Sequence, residues 1–278
     1  MVMELINIYK IYGPGCDACL NSTGAEFGSS ICPHCGSVVA VKNINLHLKK
    51  GEILGIVGES GSGKSTLLKL IYQDEKASGG ILHLGQLVDE LGININLLNA
   101  DENILSFVRD KIMAMIYQNP VLGLNFQFSA GGNIAEKVIM SGEKRYEEIR
   151  RRALYYLDKT EIPTKRIDDY PDRFSGGQQQ RIQISKALSC NPKILLLDEP
   201  TTGLDLSVQA RILDLIKVLQ KEIGFAMIIV SHDLGVIRHL TDISVVMKNG
   251  EIVEHGLTDQ ILEDPQHPYT QILVSSVL

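Results

Sequence analysis

Apolar and polar positions along the chain follow three rhythms. Residues 43–48 alternate polar and apolar, the period of a strand with one buried face. Ile53–Val57 (ILGIV), residues 194–197 (ILLL) and Ala226–Val230 (AMIIV) are unbroken apolar runs, as expected of parallel strands buried on both faces. Residues 144–162 carry apolar side chains at helical spacing with charges between, so Arg150, Arg151 and Arg152 read as a solvated face. Residues 1–12 and 38–56 read as strands, Gly79–Leu84 returns to strand, and 119–172 is helical in character. The second half alternates strand and helix up to Met247, and Lys248-Asn249-Gly250-Glu251 then gives an Asn-Gly hairpin signal. Together these elements describe an α/β chain without internal repeats or a low-complexity tail.

At 278 residues, with 44% hydrophobic and 22% charged residues, the chain has ordinary globular composition and can build a full core. Its net charge of −6 argues against a nucleic-acid partner. No apolar run reaches the roughly 20 residues needed to cross a bilayer, and MVMELINIYK lacks the features of a secretory signal. A cytoplasmic protein is expected.

Four of the five cysteines form two CxxC pairs, Cys16/Cys19 and Cys32/Cys35, separated by twelve residues. Two such turns bring four thiolates together with the geometry of a tetrahedral Zn²⁺ site, helped at the second turn by Pro33 and Gly36. An iron–sulfur cluster uses the same ligand type. His34 reads as a surface residue of the second turn and Cys190 as a packed small hydrophobe. A segment of about 25 residues builds no core by itself, so loss of the metal should unfold it. Its separation in sequence from the remaining motifs predicts that hydrolysis is independent of it.

The apolar strand Ile53–Val57 runs directly into Gly58-Glu59-Ser60-Gly61-Ser62-Gly63-Lys64-Ser65-Thr66 and a helical LLKLIY. Strand, GxxxxGKS and helix in that order form a P-loop. Its glycines let backbone N–H groups close around a phosphate at a helix N-terminus. Lys64 reaches the β- and γ-phosphates of ATP, and the Ser65 hydroxyl ligates Mg²⁺. Far downstream the run 194–197 ends in Asp198 and Glu199, where open α/β sheets place ligands. Asp198 suits Mg²⁺, and Glu199 suits a general base for the attacking water. Phe174-Ser175-Gly176-Gly177-Gln178 opens another helix, Gln118 follows MAMIY, Gly203-Leu204-Asp205 follows the carboxylates, and His232 follows AMIIVS.

This ordered set closely resembles the ATP-binding-cassette ATPases over residues 1–12 and 38–278. The resemblance implies a P-loop NTPase fold with an N-terminal antiparallel β-subdomain, a RecA-like core and a helical signature subdomain over 119–172. The small four-cysteine zinc insertion, 13–37, interrupts the β-subdomain. ATP would be hydrolysed at a head-to-tail interface with a second cassette, each signature completing the opposite site. Ser175, Gly177 and Gln178, with Gly176 between them, would contact the γ-phosphate in trans. His232 would hold that phosphate and the water, Gln118 would link Mg²⁺ to the coupling surface, and Asp205 marks the D-loop. Tyr12 matches the aromatic that stacks on adenine, with Tyr9 as the alternative. The signature opens with Phe174 rather than the commoner leucine.

The ending 264–270 (DPQHPYT) is similar in outline to oligopeptide- and dipeptide-importer ATPases. Segments 129–142, 161–177 and 203–216 look closer to the K subunits of carbon–phosphorus lyase systems, which dock on a soluble enzyme core. That resemblance implies an ATPase that drives conformational change in a soluble multisubunit partner. The alternatives are a membrane permease of the importer type and another anaerobic metalloenzyme, such as methyl-coenzyme M reductase. Around Gln118 the run IYQNPVLGLNFQF is unusually apolar. Leu122, Leu124 and Phe126 are expected either to dock the partner or to fill the helical core.

Overall fold

The alternating residues 43–48 lie in β2 (Val38–Leu48), which pairs antiparallel with β1 (Met3–Tyr12) from Met3 opposite Leu48 to Tyr12 opposite Val38. Ile44, Leu46 and Leu48 face inward while Asn43, Asn45 and His47 face out. Asn7 and Asn43, both with φ of 49°, sit where the register slips, and such bulges tighten the local twist. The computed structural model describes residues 1–276 except 86, 88, 90 and 91, so the last two residues of the terminal LVSSVL run lie outside the described residues. Among these, the chain forms two compact units: Met1–Leu105 with Ala226–Leu278, and Ser106–Phe225.

In the first unit, β1 is the centre of a three-stranded antiparallel sheet between β2 and a strand over Gly79–Leu84. The unbroken run Ile53–Val57 forms β3, flanked in parallel by Ala226–Val230 on one side and Ile243–Lys248 on the other. Burial on both edges and both faces explains why ILGIV and AMIIV carry no polar alternation. Ile243–Lys248 turns through Asn249 (φ 47°) and Gly250 (φ 83°) into Glu251–Leu257, the hairpin expected of an Asn-Gly pair.

In the second unit, Met113–Ile116 pairs in parallel with Ile194–Asp198. Helices Ala130–Met140, Tyr146–Lys159 and Gly176–Leu188 enclose a core that includes Ile134, Leu157, Phe174 and Ile182. Leu124 is 4% exposed and belongs to this core, with Phe126 packed against it, whereas Leu122 is 70% exposed. The apolar run after Gln118 is thus divided: Leu124 and Phe126 fill the core, and Val121 and Leu122 stay outside.

Candidate nucleotide site and cysteine cluster

The P-loop follows β3 directly. Gly58 and Gly63 have φ of 150° and 101°, and a Cβ on either would lie 2.2 Å from the Met247 carbonyl oxygen or 2.1 Å from that of Ala40. Close backbone approach on two sides therefore demands glycine at both positions. The helix Lys64–Tyr72 starts immediately after, turning its first N–H groups toward the loop. Lys64 is 5% exposed, and its Nζ donates to the carbonyls of Gly58 and Glu59, both at 2.8 Å. Ser60, Gly61, Ser65 and Thr66 complete the same loop and first turn.

Tyr12 ends β1, its hydroxyl bonded to Glu75 and its ring under Lys10 Nζ at 4.8 Å. Burial, then the Glu75 carboxylate beside it, push its phenol above the usual range, with the nearby Thr66 side chain acting in the opposite direction. Tyr12 thus lies beside the start of the P-loop helix. Tyr9 packs on Gly79, where a Cβ would meet its ring at 2.4 Å, so its ring is taken up between strands. His232 is exposed, and the preceding Ser231 N–H donates to Ile56 O at 3.1 Å, which holds His232 beside the end of β3.

The second unit carries the other motifs. Asp198 ends its strand at 8% exposure, and Glu199 follows in the left-handed region, φ 45°, where a non-glycine residue stores strain. The Thr202 hydroxyl donates to Glu199 Oε2 at 3.0 Å. Ser175 caps the signature helix in a reciprocal box: Gln178 N–H donates to Ser175 Oγ, and Ser175 N–H to Gln178 Oε1 at 3.2 Å. Phe174 replaces leucine at a core position, with the Arg166 guanidinium 3.9 Å above its ring. Gly176 and Gly177 open that helix, and Asp205 stands at the N-cap position of the helix Leu206–Ile223, its carbonyl accepting the Val208 and Gln209 N–H groups. Gln118 is exposed, but the backbone before it is pinned: Tyr117 N–H donates to Gln183 Oε1 at 2.6 Å, and Gln183 and Gln180 donate back to the Tyr117 carbonyl. Of the residues predicted for Mg²⁺, Ser65 belongs to the first unit, and Gln118 and Asp198 to the second.

Sequence reasoning gave no role to Gln180 and Gln183, which lie in the helix after the signature glycines. It also missed Tyr269, whose hydroxyl accepts the Glu59 N–H at 2.9 Å, and Glu251 beside the hairpin turn. Tyr269 did stand in a recognisable tail motif, but its contact spans 210 positions.

The four cysteines converge. Sγ of Cys16 lies 3.7 Å from those of Cys19 and Cys32, Cys19 and Cys35 are 3.5 Å apart, and all four fall within 4.8 Å of one another. A tetrahedron of bonds of about 2.3 Å to zinc places its sulfurs about 3.8 Å apart, so the donor set fits that geometry. Each pair is a tight turn, closed by Cys19 N–H to Cys16 O at 3.0 Å and Gly36 N–H to Cys32 O at 2.9 Å. Burial pushes the Cys19 thiol up to about 12; burial opposes ionisation of Cys32 too, but the backbone N–H groups of His34 and Cys35 bring it down to about 6. His34 is exposed and outside the cluster, and Cys190 packs on the helical core of the second unit. The segment is separate in sequence but not in space: its Ala25 N–H donates to Glu251 Oε2 at 2.7 Å, next to the hairpin turn.

Comparison with known proteins agrees with this geometry. Residues 41–202 match the family model described as ABC transporter. The chain is 48% identical over 236 residues to the phosphonates utilization ATP-binding protein PhnK of Escherichia coli, covering 85% of this chain and 90% of that protein. It is 41% identical over 244 residues to the oligopeptide transport ATP-binding protein OppD of Bacillus subtilis, covering 87% of this chain and 67% of OppD. Among solved structures, the dimeric ATP-binding cassette MJ0796 in a post-hydrolysis state with ADP and Pi has a TM-score of 0.75 and 31% identity, covering 92% of this chain and 98% of that one. Among the described residues no helix is long and apolar enough to cross a membrane. With its P-loop, strand-end carboxylates and signature helix in family order, the chain belongs to the ABC transporter family as an ATP-hydrolysing cassette.

Proposed function

We propose that this ATPase pairs head-to-tail with a second cassette and drives conformational change in a soluble, phosphonate-degrading assembly of the carbon–phosphorus lyase type. The observation that carries this reading is the 48% identity to PhnK along 90% of that protein. A cavity of about 590 Å³ in the second unit adds to it, walled by Phe128, Ala135, Ile139, Met140 and Tyr170. Exposed apolar residues of this kind suit a docked protein. The 41% identity to OppD favours a second reading, the ATPase of a peptide importer working on a membrane permease.

In this reading Tyr12 stacks on adenine, and Lys64 exchanges its loop carbonyls for the β- and γ-phosphate oxygens. Gly58, Ser60, Gly61, Gly63 and Thr66 line the phosphate path, while Ser65, Gln118 and Asp198 hold Mg²⁺. Mg²⁺ held by these residues would offset charge on the phosphates. Glu199 accepts a proton from the attacking water, and His232 fixes that water and the γ-phosphate. Ser175, Gly176, Gly177 and Gln178 close the site of the opposite subunit, with Asp205 beside the same interface. The four clustered thiolates hold Zn²⁺ in a closed structural site, and the protein works in the cytoplasm, where such thiols stay reduced.

Co-purification from native extract separates the two readings. Lyase-core subunits retained with the ATPase are expected; retention of permease subunits instead establishes the importer reading.

A further inference from the structure

We propose that the filled cysteine site is a clasp that sets the affinity of the cassette for adenine nucleotide. The inference rests on the reading that the four cysteines hold a metal and that Tyr12 and the P-loop bind ATP.

Two routes connect the cluster to the nucleotide residues, both within the first unit. The first runs through the β1–β2 pair. The chain enters the four-cysteine segment directly after Tyr12 and leaves it at Val38, the residue opposite Tyr12. Cys19 and Cys32 are buried against Val39, with Ile11 packed on the same cluster, so the cysteines underlie the strand ends that present Tyr12. Ser37 Oγ accepts the Gly15 N–H at 3.0 Å and lies 3.2 Å from Cys35 Sγ, which ties the segment's two ends together.

The second route runs through Glu251. Its carboxylate accepts the Ala25 N–H at 2.7 Å and pairs with Lys42 at 2.8 Å, while Lys42 Nζ also donates to Thr23 O at 2.6 Å. Glu251 follows Gly250, whose N–H donates to Ser62 O inside the P-loop at 3.0 Å. The Gly250 carbonyl in turn accepts the Lys42 N–H at 2.8 Å. Hydrogen bonds and one ion pair thus connect the segment to the P-loop without a gap.

A metal held by all four thiolates would cross-link the two CxxC turns, adding to the hydrogen bonds and the small buried set that order the segment. The buried apolar set of the segment is Cys19 and Cys32 against Val39, and two of these three are the ligands themselves. A structural site of this kind contributes folding energy directly. Emptied, the segment loses the order that supports Tyr12 from below and Glu251 from the side.

The test uses the full chain purified without chelator, with metal content measured by mass spectrometry and affinity by titration with a fluorescent ATP analogue in Mg²⁺. One zinc per chain is expected. Removing it with a zinc-selective chelator should weaken analogue binding roughly tenfold, the scale of one or two lost hydrogen bonds, and added Zn²⁺ should restore it. Glu251→Gln should keep the zinc and the circular dichroism of the wild type yet bind the analogue several-fold more weakly. If one metal is present but neither stripping nor Glu251→Gln changes affinity, the clasp is wrong and the metal site stands. If the protein carries no metal, the reading beneath the clasp fails and the clasp with it.

Discussion

Glu199 occupies a left-handed backbone position directly after the Asp198 strand end. That placement costs about 1–3 kcal/mol in an ordinary residue. Glu199→Gln keeps shape and hydrogen bonding but removes the charge and the proton acceptor. Hydrolysis should fall by about 10²–10⁴-fold with ATP affinity little changed. ATP then persists, and size-exclusion chromatography with ATP and Mg²⁺ should show the variant as a dimer. Lys64→Ala should bind ATP poorly and stay monomeric; equal dimerisation of both variants would contradict the assigned roles. Gly63→Ala should abolish nucleotide binding through the backbone alone, since its Cβ would lie 2.1 Å from Ala40 O. Titration with an ATP analogue measures that loss, and near-wild-type affinity would mean that the loop moves to accommodate the methyl group.

At the scale of elements, the strands that were easiest to read are those whose burial leaves no choice of pattern. ILGIV and AMIIV are apolar throughout because neighbours cover both faces, and residues 43–48 alternate because one face of β2 meets solvent. The P-loop was legible for a related reason: its glycines answer to local backbone geometry. Contacts made by polar side chains across long separations were not legible. Gln183 looks like any helix glutamine, yet it is 2% exposed and bonds both the N–H and carbonyl of Tyr117. Gln183→Leu should remove both of its bonds to the Tyr117 backbone and destabilise the second unit by about 1–3 kcal/mol, read as a lower denaturant midpoint. Leu124 is the converse case, an apolar residue six positions after Gln118 whose side chain belongs to the helical core. Leu124→Ala should cost about 2–5 kcal/mol, and circular dichroism of Leu124→Asp should show unfolding rather than mere loss of a partner.

On the scale of the whole molecule, the apolar cavity of the second unit is the surface proposed for the partner. Ile139 and Met140 are 52% and 61% exposed there, so charge at either should leave the fold and ATP binding unchanged. Ile139→Glu with Met140→Glu should lose the co-purifying subunits while still binding an ATP analogue; retention of those subunits would move the docking site elsewhere. The order of strands in the first unit also has a consequence for the protein's birth. β3 pairs with Ala226–Val230 and Ile243–Lys248, both of which leave the ribosome long after it does. At roughly 5–20 residues per second, the P-loop strand waits on the order of 10–40 s for its neighbours. Over that interval the nascent chain exposes ILGIV with no partner on either edge, while residues 106–225 emerge with a core of their own. The nucleotide pocket is thus among the last parts of the protein to form, and nascent chains halted before residue 248 should carry a folded helical unit that cannot yet grip ATP.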